Sequence, residues 1–417
     1  MKRIDYIFVC LVLILVYSCN SNSKELQNVD LLRKPYLQSA IADSITILWR
    51  TNVGTTSEVA YKLKEAKKWN YKKGVTRSTN TGSIENEVTL TGLEPNSNYE
   101  YQVFTDESQL LKEEILYFPS PVSKQDSTFS FFAVGDIGEA IEDEGTPDQL
   151  GRALINFVDS LRFGLLLGDI VYPDGRSEIY DTNLFQHFEK VFPYVPVFTI
   201  LGNHDWGEEP DENYVKEWKL PGNEHYYSFD YGNIHFIGLD TKQGELYEYD
   251  KQVAWLRDDL SNISKDMEWT IVFLHHNGKS CTYKNDYEGV VSLYPIFEEF
   301  DVDLVLNGHA HTYERLNPMN GNGEVLITKK DTSTNSYVQT EGFTSITVGS
   351  GGILRGLGND PDPFTPNPEA CRYPDLVAAY THDWVFLKLD IDGNQLTGTA
   401  MTTEDLTIVD RFIIQKR

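Results

Sequence analysis

Over residues 31–118 apolar and polar positions alternate in short runs, as in Ser44-Ile45-Thr46-Ile47-Leu48-Trp49, Val88-Thr89-Leu90 and Tyr99-Glu100-Tyr101-Gln102-Val103-Phe104. Turn formers such as Glu94-Pro95-Asn96-Ser97-Asn98 separate the runs. A period of two with frequent turns, and no long stripe at 3.6 residues, predicts a small antiparallel all-β sandwich over residues 31–120. The polar stretch 119–128 reads as a linker. Beyond it the pattern changes. Phe129-Ser130-Phe131-Phe132-Ala133-Val134 has the unbroken apolar character of a buried strand, and Thr146-Pro147 supplies an N-cap and a first-turn proline for a helix to about residue 161. Further strands are predicted at 163–167, 195–201, 269–274 and 303–306, with helices at 247–260 and 291–300. Strands at 384–391 and 406–414 close the chain. Strands alternating with helices imply a layered α/β domain over residues 125–417.

The first 30 residues do not belong to this pattern. Lys2 and Arg3 precede an apolar run at 7–16, too short for a spanning helix, and Leu15-Val16-Tyr17-Ser18-Cys19 gives way to Asn20-Ser21-Asn22-Ser23. This has the layout of an export signal over residues 1–18 with a tether at 19–30, and it resembles the lipobox of bacterial lipoproteins, with Cys19 as the lipidated residue. Cleavage without a lipid is the alternative. The expected location is therefore the cell envelope, held to a membrane through Cys19, or otherwise secreted. Once the signal is removed and Cys19 acylated, Cys281 and Cys371 remain, either paired or as two thiols. Composition, 40% hydrophobic and 24% charged, is that of a globular protein. A formal charge of −27 disfavours nucleic acid as a partner. The lysine-rich stretch 62–77 reads as solvated strand faces and edge protection, with a binding patch as the alternative.

The chemistry sits at the strand ends. One apolar strand after another runs into Gly135-Asp136, Gly168-Asp169-Ile170-Val171-Tyr172, Gly202-Asn203-His204-Asp205, Val272-Phe273-Leu274-His275 and Gly308-His309-Ala310-His311. In open α/β sheets the carboxyl ends of strands converge on the binding crevice. Asp136, Asp169, Tyr172, Asn203, His275, His309 and His311 offer oxygen and imidazole nitrogen without thiolate, which suits first-row metals such as iron, zinc and manganese. Seven ligands are too many for one ion. Two ions roughly 3.5–4 Å apart, bridged by a carboxylate, accommodate them and form the clamp used for displacement at phosphorus.

These five motifs, in this order, resemble the calcineurin-type metallophosphoesterase set. The variant with Gly-Asp-x-x-Tyr and Gly-His-x-His-x-Tyr-Glu-Arg, met here at 168–172 and 308–315, resembles purple acid phosphatase. The N-terminal region with Lys34-Pro35-Tyr36-Leu37-Gln38 is similar to the fibronectin-III-like domain of that family. The resemblance implies a four-layer β-sandwich flanked by helices, preceded by the small β sandwich. It implies that Asp136, Tyr172 and His311 hold a ferric ion, that Asp169 bridges, and that Asn203, His275 and His309 complete a site for a second metal, which is zinc, iron or manganese. Tyr172 decides the subtype, because phenolate on Fe(III) gives the family its colour.

The implied reaction is hydrolysis of phosphate monoesters, with hydroxide attacking phosphorus in line. His204 is expected to bind phosphate or protonate the leaving group, Asp205 to orient that imidazole, and Arg315 and Asn203 to contact substrate. Plant-type members carry further histidines after the Val-x-x-His strand; residues 277–289 contain none, which leaves His276 as a second proton donor or a structural neighbour, and Lys279 or Lys284 as phosphate ligands. Gly349-Ser350-Gly351-Gly352 with Arg355 resembles a family loop near the site, and the proline-rich loop 361–374 is a surface loop or a lid. Phosphodiester or nucleotide hydrolysis on the same metals is the close alternative; a non-catalytic surface binding protein is the distant one. The partner is a small phosphoester. Oligomeric state is not legible.

Overall fold

The computed structural model describes residues 28–138, 147–207, 213–282, 284, 286–326, 330–331, 336–339, 341–352, 373 and 375–416. Residues 1–18, Cys19, Thr146, Arg355 and Cys371, with the expectations attached to them, lie outside that set.

The alternating N-terminal region forms two facing antiparallel sheets. One orders Leu31–Ile41, Ser44–Thr51, Ile84–Leu90 and Val75–Ser78; the other orders Asn70–Lys73, Ser57–Leu63, Asn98–Thr105 and Ser108–Gln109, with Leu116–Pro119 also on Asn98–Thr105. Ile45, Ile47 and Trp49 point inward to meet Val59, Val88, Val103 and Phe118. Their intervening neighbour Leu48 is also buried, because with Tyr36 it joins the core of the larger body that follows. In the lysine-rich stretch Lys62 pairs with Glu100 at 2.6 Å and Arg77 with Glu87 at 3.0 Å.

The larger body is a mixed α/β sandwich of two sheets. In the first, Val197–Thr199, Leu161–Leu166 and Thr128–Val134 run parallel, followed by the antiparallel strands Val385–Asp392, Gln395–Thr402 and Ile408–Gln415. In the second, Ile234–Gly238, Trp269–Phe273, Leu304–Asn307 and Thr344–Val348 run parallel. An aromatic layer joins the two: Phe131 stacks on Phe163 at 4.9 Å, Phe198 on Phe229 at 3.9 Å, and Phe163 meets Phe236 edge-on at 5.3 Å. Both sheets therefore present their parallel carboxyl ends along one rim, which is where the glycine-aspartate and histidine motifs emerge. Among the described residues no helix is long and apolar enough to cross a membrane.

Two predicted elements differ. The helix opening at Pro147 stops at Ile155, and Leu161 already belongs to the next strand. The helix expected over 291–300 is two short ones, Glu288–Val291 and Tyr294–Glu299, since Pro295 has no N–H to carry a continuous ladder. Residues 119–122, read as linker, are buried.

The two bodies dock through Leu31–Ile41. Arg33 contacts Asp181 at 2.5 Å and Glu217 at 2.8 Å; Arg50 pairs with Glu85 and reaches the same Glu217 oxygen at 2.7 Å. The Tyr36 hydroxyl donates to the Glu217 carbonyl, and Gln38 Nε2 to the Val197 carbonyl. The stretch Lys34 to Gln38 is thus a docking strand.

Away from the rim, His235 lies between Asp230 (Nδ1, 2.7 Å) and Asp259 (Nε2, 2.9 Å). Burial alone would lower its pKa, but the two carboxylates outweigh it and push it up to about 9. A raised histidine stabilises fully below its unfolded pKa and ceases to as pH rises through its folded one. His235→Gln should therefore cost on the order of 2 kcal/mol at pH 6, allowing for screening at the partly exposed Asp230, and little above pH 9. Urea midpoints of the two proteins that differ equally at pH 6 and pH 10 would exclude this.

Candidate metal centre

Asp136, His275 and His309 stand two residues past the ends of their strands at Val134, Phe273 and Asn307, and Asp169, Asn203, His311 and Tyr172 follow on the loops that leave those same strand ends or their neighbours, where the backbone is bent sharply. Asp136, Asp169 and His309 have φ of 55°, 48° and 68°, a left-handed conformation that costs of order 1–3 kcal/mol in a residue with a side chain and concentrates at functional sites. The flanking glycines admit this crowding. A Cβ at Gly202 would stand 2.2 Å from Asp169 Oδ1, and one at Gly308 2.6 Å from Asp136 Oδ2. The rim is stitched across the two sheets by Gly135 N–H to the Val348 carbonyl at 2.7 Å, and within the second sheet by Gly308 N–H to the His275 carbonyl at 2.9 Å.

All seven expected ligands meet at one place. The Tyr172 hydroxyl is 2.9 Å from Asp136 Oδ1, 3.0 Å from Asp169 Oδ2 and 3.3 Å from His311 Nε2. His311 Nε2 is 3.2 Å from Asp136 Oδ1. On the other side, His275 Nε2 lies 3.3 Å from each of Asp169 Oδ2, Asn203 Oδ1 and His309 Nδ1. Asp169 is the member common to both halves. Asp136, Asp169 and His275 offer ligand atoms within 4.8 Å of one another, as do His275, His276 and His309.

This donor set fits cations. One phenolic proton faces two buried carboxylates and a buried imidazole, so acceptors outnumber donors around it. Burial, then Asp136 and Asp169, push the Tyr172 phenol well above its ordinary pKa. Burial would lower His275, yet Asp169 and Asp136 push it up to about 9. The pocket thus draws positive charge into itself, which a buried pair of carboxylates requires. His275 donates Nδ1–H to the Leu167 carbonyl at 2.8 Å, which turns Nε2 inward toward the other ligands. Oxygen and imidazole donors in this mixture suit iron, zinc or manganese.

The other expected residues fall into different places. His204 borders the centre: its ring is 4.3 Å from that of Tyr172, its N–H donates to Asp169 Oδ1, and its Nδ1 contacts the Pro173 carbonyl at 2.6 Å. Asp205 does not orient that imidazole. Its carboxylate receives the N–H groups of Gly202, Ile170 and Val171, tying together the loops that carry Asn203 and Asp169. Burial and the Asp169 charge push it up to about 7. His276 is buried, with Nδ1 3.0 Å from the Thr241 hydroxyl and its ring 4.3 Å from that of His309; burial first, then His275, holds it well below its ordinary pKa. Arg315 corrects the substrate-contact expectation: its guanidinium clasps Asp410, Nε to Oδ2 at 2.7 Å and Nη2 to Oδ1 at 3.2 Å, and lies over Phe412. Lys279 is likewise occupied, donating to the carbonyls of Asn322 and Gly323. The charge of Lys284 is a minor contributor to the lowering of His276 and His309. Cys281 is disulfide-bonded, and every other cysteine lies outside the described residues.

Two residues near the centre were not anticipated. Asp240 accepts from Trp206 Nε1 at 2.9 Å and contacts His225 Nδ1 at 2.8 Å, bracing the short helix Asn203–Trp206. Tyr287 places its hydroxyl 2.5 Å from His309 Nε2. As one of 24 tyrosines it carries no sequence signal that singles it out.

Compared with known proteins, residues 129–313 match the Calcineurin-like phosphoesterase family, and residues 34–126 match the Purple acid Phosphatase N-terminal domain. Purple acid phosphatase 23 of Arabidopsis thaliana is 26% identical over 327 residues, 70% of this chain and 67% of its own length. "Probable inactive purple acid phosphatase 1" of the same plant is 27% identical over 373 residues, 78% of this chain and 57% of its own. The chain spans about half to two thirds of the length of these curated relatives. The solved purple acid phosphatase from yellow lupin (Lupinus luteus) seeds superposes with a TM-score of 0.75 at 20% identity, covering 92% of this chain and 74% of that one, a likeness of fold.

Proposed function

From the premise that the chain is a purple acid phosphatase-like, calcineurin-type metallophosphoesterase with the N-terminal domain of purple acid phosphatases, we propose that it hydrolyses phosphate monoesters at a two-metal centre. The observation that carries this reading is the meeting of Asp136, Asp169, Tyr172, Asn203, His275, His309 and His311 in two adjoining groups with Asp169 in contact with both. Asp136, Tyr172 and His311 would hold a ferric ion, and Asn203, His275 and His309 a divalent zinc, iron or manganese, with Asp169 available to both. A cation pair supplies water activation and neutralises charge developing on the phosphoryl oxygens.

The chain's own groups do the rest. Asp205 fixes the turn from which Asn203 and His204 project, so that geometry is set before substrate arrives. With Nδ1 held at the Pro173 carbonyl, His204 keeps Nε2 for the phosphoryl group or the departing oxygen. Lys284 adds positive charge beside His276 and His309, where a phosphate dianion gains from it. His276, packed against Thr241, serves to wall the second site.

Turnover of an aryl phosphate monoester against the matching diester tests the substrate class: faster diester cleavage would replace this reading with a phosphodiesterase. Metal analysis with a visible spectrum tests the centre. Two metals per chain are expected, with a visible band that disappears in Tyr172→Phe; an iron-loaded Tyr172→Phe protein of unchanged colour would remove Tyr172 from the iron. We further propose export and lipid anchoring through Cys19, supported by the sequence of residues 1–19. Cys19→Ala should move the protein from the membrane to the soluble fraction.

A further inference from the structure

We infer that Tyr287 is the positioning residue of the second metal site, acting through His309. The inference rests on the two-metal reading above. A metal-binding imidazole coordinates through one nitrogen, and the partner of the other nitrogen sets the tautomer and the ring orientation. For His275 that partner is the Leu167 carbonyl. For His309 it is the Tyr287 hydroxyl, 2.5 Å from Nε2, while Nδ1 faces His275 Nε2 at 3.3 Å, on the side where the ligands converge. With Nδ1 on a cation, Nε2 carries the proton and the phenolic oxygen accepts it.

The Tyr287 ring is held for this task. It packs edge-on against His276 at 4.9 Å and His309 at 5.0 Å. Its other side lies on the backbone of Gly244, where a Cβ would stand 2.0 Å from the ring. The chain leading to it is strapped down. Glu314, inside the eight-residue motif at 308–315 but not a ligand, accepts from the Ser280 hydroxyl at 2.8 Å and the Cys281 N–H at 2.9 Å. Asp286 accepts the Ser280 N–H at 3.1 Å and the Tyr373 hydroxyl at 2.6 Å. The segment that lacks histidines between 277 and 289 therefore brings a phenol to the centre, and brings it to a ligand.

The test uses the full chain loaded with Fe(III) and titrated with Zn(II) by equilibrium dialysis, wild type beside Tyr287→Phe. The half-buried phenyl ring keeps its packing and loses only the oxygen. Zinc affinity should fall ten- to hundredfold, the usual effect of removing an outer partner of a ligand, while iron content and the visible band persist. With Co(II) in place of zinc, the ligand-field bands of the variant should shift. Gly244→Ala, which displaces the ring without touching His309, should weaken zinc in the same way if the phenylalanine variant does not fold. Unchanged zinc affinity in the folded variant, or equal loss of iron and zinc, overturns the role of Tyr287 and leaves the two-metal reading standing. A wild-type chain that binds neither metal overturns both.

Discussion

Asp169→Asn should lower kcat/KM for an aryl phosphate monoester by roughly a thousandfold or more, the upper end of what removing one preorganised stabilising charge costs, and should leave fewer than two metals per chain. Asparagine is the informative replacement. It has the shape of aspartate and tolerates the left-handed backbone at φ 48°, so the turn survives and the charge alone is lost. The charge matters because Asp169 Oδ2 faces side-chain ligand atoms of both halves, 3.0 Å from the Tyr172 hydroxyl and 3.3 Å from His275 Nε2. His275 holds its carboxyl well below the usual carboxylate range against burial. An amide there gives neither cation a shared anionic ligand. A variant that binds two metals and keeps more than about a tenth of wild-type turnover would show that Asp169 does not sit between them.

The centre was largely legible because its signals are local. A glycine following an apolar strand, then Asp, Asn or His, is readable within four residues, and parallel strands in a sheet must bring such ends to one rim. What was misread depends on partners far along the chain. Arg315 stands in the same run as His309 and His311, but strand alternation and its antiparallel neighbours turn it to Asp410, 95 residues on. Asp205 adjoins His204, yet three backbone N–H groups compete for its carboxylate and win. Tyr287 reaches His309 only because Glu314 and Asp286 fold the segment between them. In the fold, the alternation in Ser44-Ile45-Thr46-Ile47-Leu48-Trp49 marks a strand but not the burial of both its faces, since the larger body covers the outer one at Leu48. The family likeness of Lys34 to Gln38 has its physical cause in the same contact.

That contact is built around charge, which makes it brittle. Glu217→Ala should destabilise the chain by about 3–5 kcal/mol, the cost of breaking a buried ion pair by deleting one partner. One Glu217 oxygen receives both Arg33 at 2.8 Å and Arg50 at 2.7 Å, and all three side chains are almost wholly buried. Without the carboxylate, Arg50 retains Glu85, and Arg33 retains only Asp181, which is partly exposed. Two guanidiniums would then face each other in a dry seam. The seam should open before either sandwich melts, since each has its own apolar core. A urea titration followed by hydrogen exchange should accordingly show early loss of protection at Leu37 N–H, which bonds across the seam to the Phe192 carbonyl, while strand amides such as Ile47 stay protected. A variant whose urea midpoint matches wild type, with Leu37 still protected, would mean that packing of Tyr36 and Leu48 holds the bodies together and the buried charges do not.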